Sequence, residues 1–213
     1  MSTLDEADEI LDGSEDEIEV TAKDVYEKLL KVWLNEKLSA ELLPHHDELV
    51  ECMMGQIKEI ESSLSSRDKN LKTSLQKIEL ERVKFVISSY LRERLKKIEN
   101  NVVHILAEEA SMEQPRMSPE EMQFAKAFSE NLENHFERLA LQQMPANMQS
   151  LDKKKNIPKP NLESFVFIKV LENVEQVTLD PEEDPVDLDE GSQHIVRYKT
   201  IAPYIQTEQV VLI

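Results

Sequence analysis

The stretch that decides the fold is KNLKTSLQKIELERVKFVISSYLRERLKKI, residues 69–98. It contains no proline or glycine, and its apolar residues recur at helical spacing. Leu71, Leu75, Ile78 and Phe85 share one face. Leu80, Val83, Ile87, Leu91, Leu95 and Ile98 fall on roughly the opposite side, at about 100° per residue. Slow drift of one stripe does not make a half-turn jump, so this is a long helix with two apolar sides, starting near Lys69 and reaching as far as Glu109. Such a helix must be covered on both sides. Either it is the centre of its domain, or it packs on its own domain at one end and on a partner at the other. Leu75 and Ile78 are expected to face the chain's own helices, and several of Val83, Ile87, Leu91, Leu95 and Ile98 to meet other elements or another subunit.

Upstream, Thr21 and Asp24 mark a helix start, followed by Val25, Leu29, Val32 and Trp33 at helical spacing. Glu41 to Pro44 reads as a turn. A second helix, from Asp47 to about Leu64, carries the narrow stripe Leu49, Met53, Ile57, Ile60 and Leu64. Downstream, Pro115 breaks the pattern and Ser118-Pro119-Glu120-Glu121 starts a fourth helix, with a serine cap, proline in the first position and glutamate in the third. Ala125, Phe128, Leu132, Phe136 and Leu139 form its stripe, and Pro145 ends it.

The pattern then changes. Residues 145–163 contain Pro145, Pro158, Pro160 and three successive lysines and read as a linker. Residues 164–171, 174–179, 193–201 and 208–213 read as strands, with an acidic loop at 180–190 and a turn at Ala202-Pro203. The expected organisation is an acidic disordered tail (1–20), a helical domain (21–144), the linker, and a small β-domain (164–213). The fold class is α+β: an N-terminal all-helical domain followed by a small all-β C-terminal module. A β-module of that size needs a neighbour to close its core, and another subunit is the expected one. The chain ends on Val210, Val211, Leu212 and Ile213, which suggests a terminal strand paired with 164–171 or 193–201, burying Val211 and Ile213.

Composition excludes several chemistries. Three glycines in 213 residues leave no glycine-rich phosphate loop. The single Cys52 excludes an internal disulfide and a cysteine-only zinc site. No apolar run reaches the roughly 18–20 residues of a membrane span, and the acidic start is not a signal peptide. The expectation is an intracellular, reduced, soluble protein. The net charge of −18 is concentrated in residues 1–20, with nine acids, and 180–190, with seven, neither holding a base. The body is nearly neutral, and such acidic segments repel phosphate.

No catalytic constellation emerges. His45, His46, His104, His135 and His194 lack the spacing of a helical zinc site. Cys52, beside the apolar stripe of the second helix, is expected in the core. The paired carboxylates lie in the acidic segments, where water screens them, whereas a general acid needs a desolvated site. No enzyme activity, cofactor or metal is expected. Basic residues gather on the third helix, and Arg92, Arg94, Lys96 and Lys97 stand near Tyr90 at its end. One reading is a helix-based DNA-binding module. The other is charge pairing with a neighbouring helix or subunit, favoured because base-stacking aromatics are scarce.

Several segments resemble a known family. Trp33-Leu34-Asn35-Glu36-Lys37, Glu81-Arg82, Ser88 to Glu99, Met144 to Gln149 and, most specifically, Gly191 to Pro203 are similar to the Sld-five type subunit of the GINS complex. The resemblance runs in order over residues 21–213. It implies a non-catalytic subunit of a nuclear heterotetramer that joins the MCM hexamer and the Cdc-forty-five protein in the replicative helicase and meets the leading-strand polymerase. It implies partners in three other GINS subunits, no membrane, and little or no direct DNA binding. The residues expected at partner contacts are Trp33, Tyr90, Leu91, Arg94, Leu95, Ile98, Arg197, Tyr198, Val211 and Ile213. Asp8-Glu9-Ile10-Leu11 resembles an acidic–apolar motif that engages a trimeric β-propeller adaptor.

Overall fold

Leu42 and Leu43, adjacent in the loop after the first helix, enter two different hydrophobic cores, and the architecture follows from that divergence. The computed structural model describes residues 22–65, 70–112, 115–145, 149, 157–178 and 185–213. The tail 1–20, its Asp8–Leu11 motif and the Thr21 cap lie outside the described residues.

Four helices come first: α1 (Ala22–Leu38), α2 (Asp47–Ser65), α3 (Leu71–Glu109) and α4 (Pro119–Leu139). Asn70 caps α3, its side chain accepting from the Thr73 N–H at 2.9 Å. At Asn101 the backbone leaves helical geometry (φ −128°, ψ 28°), which kinks α3. The start of α4 is the expected capping box, with Ser118 and Glu121 bonding each other's backbone N–H. It ends at Leu139, ahead of Pro145, and a one-turn 3-10 helix follows at Leu141–Gln143.

Two cores organise these helices. Val25 and Leu29 of α1, Met53, Ile57 and Leu64 of α2, and Leu80, Val86 and Ile87 of α3 form the first. Beyond it, Leu42, Ile98, Val102, Ile105, Met117 and Ala125 join the second half of α3 to α4. The expectation for Leu75 and Ile78 is corrected, while Ile87 and Ile98 meet other elements of the chain as expected. Ile87 and Ile98 face the chain's own core, whereas Leu75 and Ile78 are 55% and 63% exposed. Periodicity finds both stripes but does not say which one the chain covers. Cys52 is also corrected: it is exposed, one step off the buried Met53.

The α+β class holds, a helical region followed by a small β-sheet region, but the C-terminal module carries one helix beside its strands. Strand β1 (Phe165–Val170) lies between β4 (Gln193–Arg197) and β5 (Val210–Leu212), antiparallel to both. A separate ribbon pairs β2 (Val174–Val177) with β3 (Val186–Leu188), inside the segment expected to be an acidic loop. Residues 198–201, expected to extend a strand, begin α5 (Tyr198–Gln206), which contains Pro203. The β-branched run invites a strand reading, but Tyr198, Ile201 and Ile205 lie at helical spacing and all three are buried. The first-turn N–H groups of Tyr198 and Lys199 donate to Ser164 and Leu162 carbonyls, so no side-chain cap is needed.

The neighbour that closes the module's core belongs to the same chain. Leu43 packs with Val166, Ile168, Tyr198 and Leu212, and the Leu212 N–H donates to Asn35 Oδ1 of α1 at 2.8 Å. All three residues of β5 are buried. Ile213, expected inside, is 43% exposed.

Candidate partner-binding surfaces

The basic end of α3 turns inward. Arg94 is fully buried, and its five N–H donors are all used. Nε and Nη2 grip Glu121 at 2.7 and 2.8 Å, Nη1 meets Glu36 at 3.1 Å and the Leu43 carbonyl at 2.8 Å, and Nη2 also donates to the Arg116 carbonyl at 2.9 Å. One turn on, Lys97 donates to Glu36 Oε1 at 2.7 Å, to the Glu36 and Glu41 carbonyls and to Ser39 Oγ. Glu41 accepts from Arg116 at 3.2 Å and from the Tyr198 hydroxyl at 3.1 Å. A continuous polar chain thus runs from α4 through α3 and the α1–α2 loop to the β-module.

Electrostatics match this geometry. Burial opposes the charged form of Glu121, but hydrogen bonds and charge from Arg94, with the Ser118 N–H, outweigh it and hold the carboxyl below its usual range. Burial pulls Lys97 down, opposed by Glu36. The Tyr90 phenol, buried against the same cluster, is pushed up to about 12 by desolvation. Two of the four cations read as a DNA-binding patch, Arg94 and Lys97, are therefore committed inside the fold; Arg92 and Lys96 remain exposed.

The residues expected at partner contacts divide. Tyr90, Arg94, Ile98, Tyr198 and Val211 are buried within the chain and are corrected from surface to interior. Trp33 is half-buried: its indole N–H donates to Ser89 Oγ at 3.1 Å, and the Lys37 ammonium stands 5.2 Å from the ring. Leu95 and Arg197 are half-buried, with the Arg197 guanidinium over the Phe165 ring at 5.9 Å. Leu91 and Ile213 are exposed.

Sequence reasoning missed the larger exposed apolar surfaces. Leu71, Leu75, Ile78 and Phe85 make an uncovered stripe on α3, all more than half exposed. Phe136 and Leu139 continue the α4 stripe into solvent. On the outer face of the sheet, Phe167 sits opposite Ile195, next to Phe165. Contiguous apolar patches of this kind mark interaction sites. The α3 stripe was visible as periodicity; its exposure was not.

Among the described residues, no group of three or more His, Cys, Asp or Glu is placed to hold a metal, and no helix is long and apolar enough to cross a membrane. The family model for the GINS complex protein helical bundle domain matches residues 47–140, and that for the SLD5 C-terminus of DNA replication complex GINS proteins matches residues 160–213. This chain belongs to the SLD5 family of GINS proteins. Relatives named DNA replication complex GINS protein SLD5 support the same assignment. The rat protein is 44% identical over 95% of this chain and 94% of its own length, the human one 41% over 95% of each, and the Arabidopsis thaliana one 32% over 94% and 96%. In this SLD5 chain the stretch matched by the C-terminal model contains all of β1–β5 and α5, and the helical-bundle model spans α2 to α4.

Proposed function

We propose that this chain is the SLD5-type subunit of a heterotetrameric GINS complex in DNA replication. In this reading it is a non-catalytic nuclear component that binds three other GINS subunits and helps join the MCM hexamer and the Cdc-forty-five protein in the replicative helicase. Contacts with the leading-strand polymerase and, through Asp8–Leu11, with a trimeric β-propeller adaptor belong to the same proposal. The observation that carries it is the apolar stripe Leu71, Leu75, Ile78 and Phe85, which a self-sufficient protein would not leave in water. Leu91, Leu95, Arg197 and Ile213 are further contact residues in this reading, because their side chains reach the surface. The polar chain around Arg94 keeps α3 and α4 in one geometry and so presents the exposed faces rigidly. Co-expression with the three partner subunits, followed by native mass spectrometry, tests the proposal. One copy of each chain in a single species is expected; a monomer in the presence of all three partners would contradict it.

A further inference from the structure

The three-stranded sheet has two edges, and the chain closes only one of them. The Leu171 N–H donates to the Gln209 carbonyl at 2.8 Å and the Ile213 N–H to the Phe167 carbonyl at 3.1 Å, so the odd-numbered residues along β1 bond toward β5. Val170 and Tyr198 donate to the Ser192 and Ser164 carbonyls at 3.0 and 2.9 Å, so the even-numbered ones bond toward β4. Phe167 and Ile195 are therefore a non-hydrogen-bonded pair, and the N–H and C=O of Ile195 and Gln193 point away from β1. On β5 the corresponding outward donor, the Leu212 N–H, is taken by Asn35 Oδ1. On β4 no further strand lies outside, and among the described residues nothing bonds the Ile195 N–H or C=O.

Natural sheets block such an edge with proline, lysine or a bulge. Strand β4 has none of these: it reads Gln193-His194-Ile195-Val196-Arg197 and keeps a continuous register with β1. A row of free, regularly spaced donors and acceptors fits one kind of occupant, another extended backbone. The side chains select it further. Ile195, Phe167 and Ile213 form one exposed apolar row across all three strands of the outer face, with Phe165 beside it. Charge does not choose the occupant at one end of β4, where Arg197 and Lys199 are paired with Glu163. At the other end the exposed Asp189 and Glu190 outnumber Lys169 and repel the chain's own acidic residues 1–20. A second copy would bring another net charge of −18.

We infer that the open edge of β4 receives an extended, acid-poor segment of a partner protein as a fourth, antiparallel strand. The residue opposite Ile195 exchanges both backbone hydrogen bonds with it and lays an apolar side chain on the outer face, lengthening the Ile195–Phe167–Ile213 row. The edge belongs to the module and not to α3, so its failure leaves the assembly proposal standing.

The test is fluorescence anisotropy on the full-length chain. The probe is a short fluorescein-labelled peptide in which threonines alternate with valine, phenylalanine and valine. Saturable binding is expected. N-methylation of the valine and phenylalanine amides, which face β4, should weaken it about tenfold or more, whereas N-methylation of the threonine amides should not. Ile195→Pro removes only an outward N–H, a place where an edge strand accepts proline, and should weaken binding to a similar extent with an unchanged circular dichroism spectrum. Hydrogen exchange at the Ile195 amide should slow about tenfold with bound peptide, while the Val196 amide, already bonded to β1, changes little. No saturable binding would overturn the inference, as would equal effects of the two N-methylated peptides or an unchanged Ile195 amide under saturating peptide. Tighter binding after deletion of residues 1–20 would also overturn it, by giving the edge to the chain's own acidic segment. So would a dimer of the full-length chain that Ile195→Pro dissociates, by giving it to a second copy.

Discussion

Arg94 and Glu121, 27 residues apart, face each other with two parallel hydrogen bonds of 2.7 and 2.8 Å, both side chains buried. The fork joins the middle of α3 to the first turn of α4, and Glu121 also completes the capping box of α4. One guanidinium thereby fixes a helix start and a helix–helix crossing together.

Replacing Arg94 leaves two buried carboxylates, with Glu121 losing its cation altogether. Arg94→Met is expected to cost about 3–5 kcal/mol in urea unfolding, as broken buried pairs do. Arg94→Lys should recover only part of this, because an ammonium cannot form the fork. A loss below about 1 kcal/mol for Arg94→Met would contradict the account.

Acid should weaken the fold in two stages. His46 has its pKa lowered from 6.5 by burial and by Lys28, with Glu208 opposing. The unfolded chain therefore takes up that proton first, and stability falls as pH drops from about 6.5 to the folded value. Glu121 has its pKa lowered from 4.5, so its contribution is complete above 4.5 and is lost as pH falls through the folded value. Thermal midpoints measured from pH 8 to 3 should show both stages in the wild type, and His46→Gln should remove only the upper one.

Much of this was legible in the sequence. The four helices, the Ser118 capping box and the terminal strand follow from spacing and caps, which are local. Arg94 was legible only as a cation on a helix, because its partners Glu36, Leu43 and Glu121 lie far away in the chain. Its burial depends on the crossing of three elements. Strand β3 was hidden because acids outnumber the two apolar residues, Val186 and Leu188, that pair with β2. At residues 198–201 β-branching and helical spacing disagree, and tertiary packing decides in favour of spacing.

The seam between bundle and module can be opened selectively. Asn35→Ala removes the acceptor for the Leu212 N–H and should cost about 1–3 kcal/mol. Hydrogen exchange at the Leu212 and Val210 amides should accelerate while α3 amides around Ile98 stay protected. Uniform acceleration across both regions would show the two to be a single unfolding unit.

Removing residues 208–213 deletes β5, whose buried Val210, Val211 and Leu212 each contribute roughly 1.5–3 kcal/mol. Limited proteolysis should then cut after Pro160 while residues 22–139 stay resistant. A protease-resistant module in the truncated chain would refute the place given to β5.

The α3 stripe carries the central claim, and one double variant tests it most directly. Ile78 and Phe85 are 63% and 61% exposed, so Ile78→Asp with Phe85→Asp should leave the stability of the chain within about 0.5 kcal/mol per site. Native mass spectrometry of this variant co-expressed with the three partner subunits is the measurement. The account predicts a folded variant chain that drops out of the four-subunit species proposed for the wild type. Retention of the variant in that species at wild-type yield would contradict it.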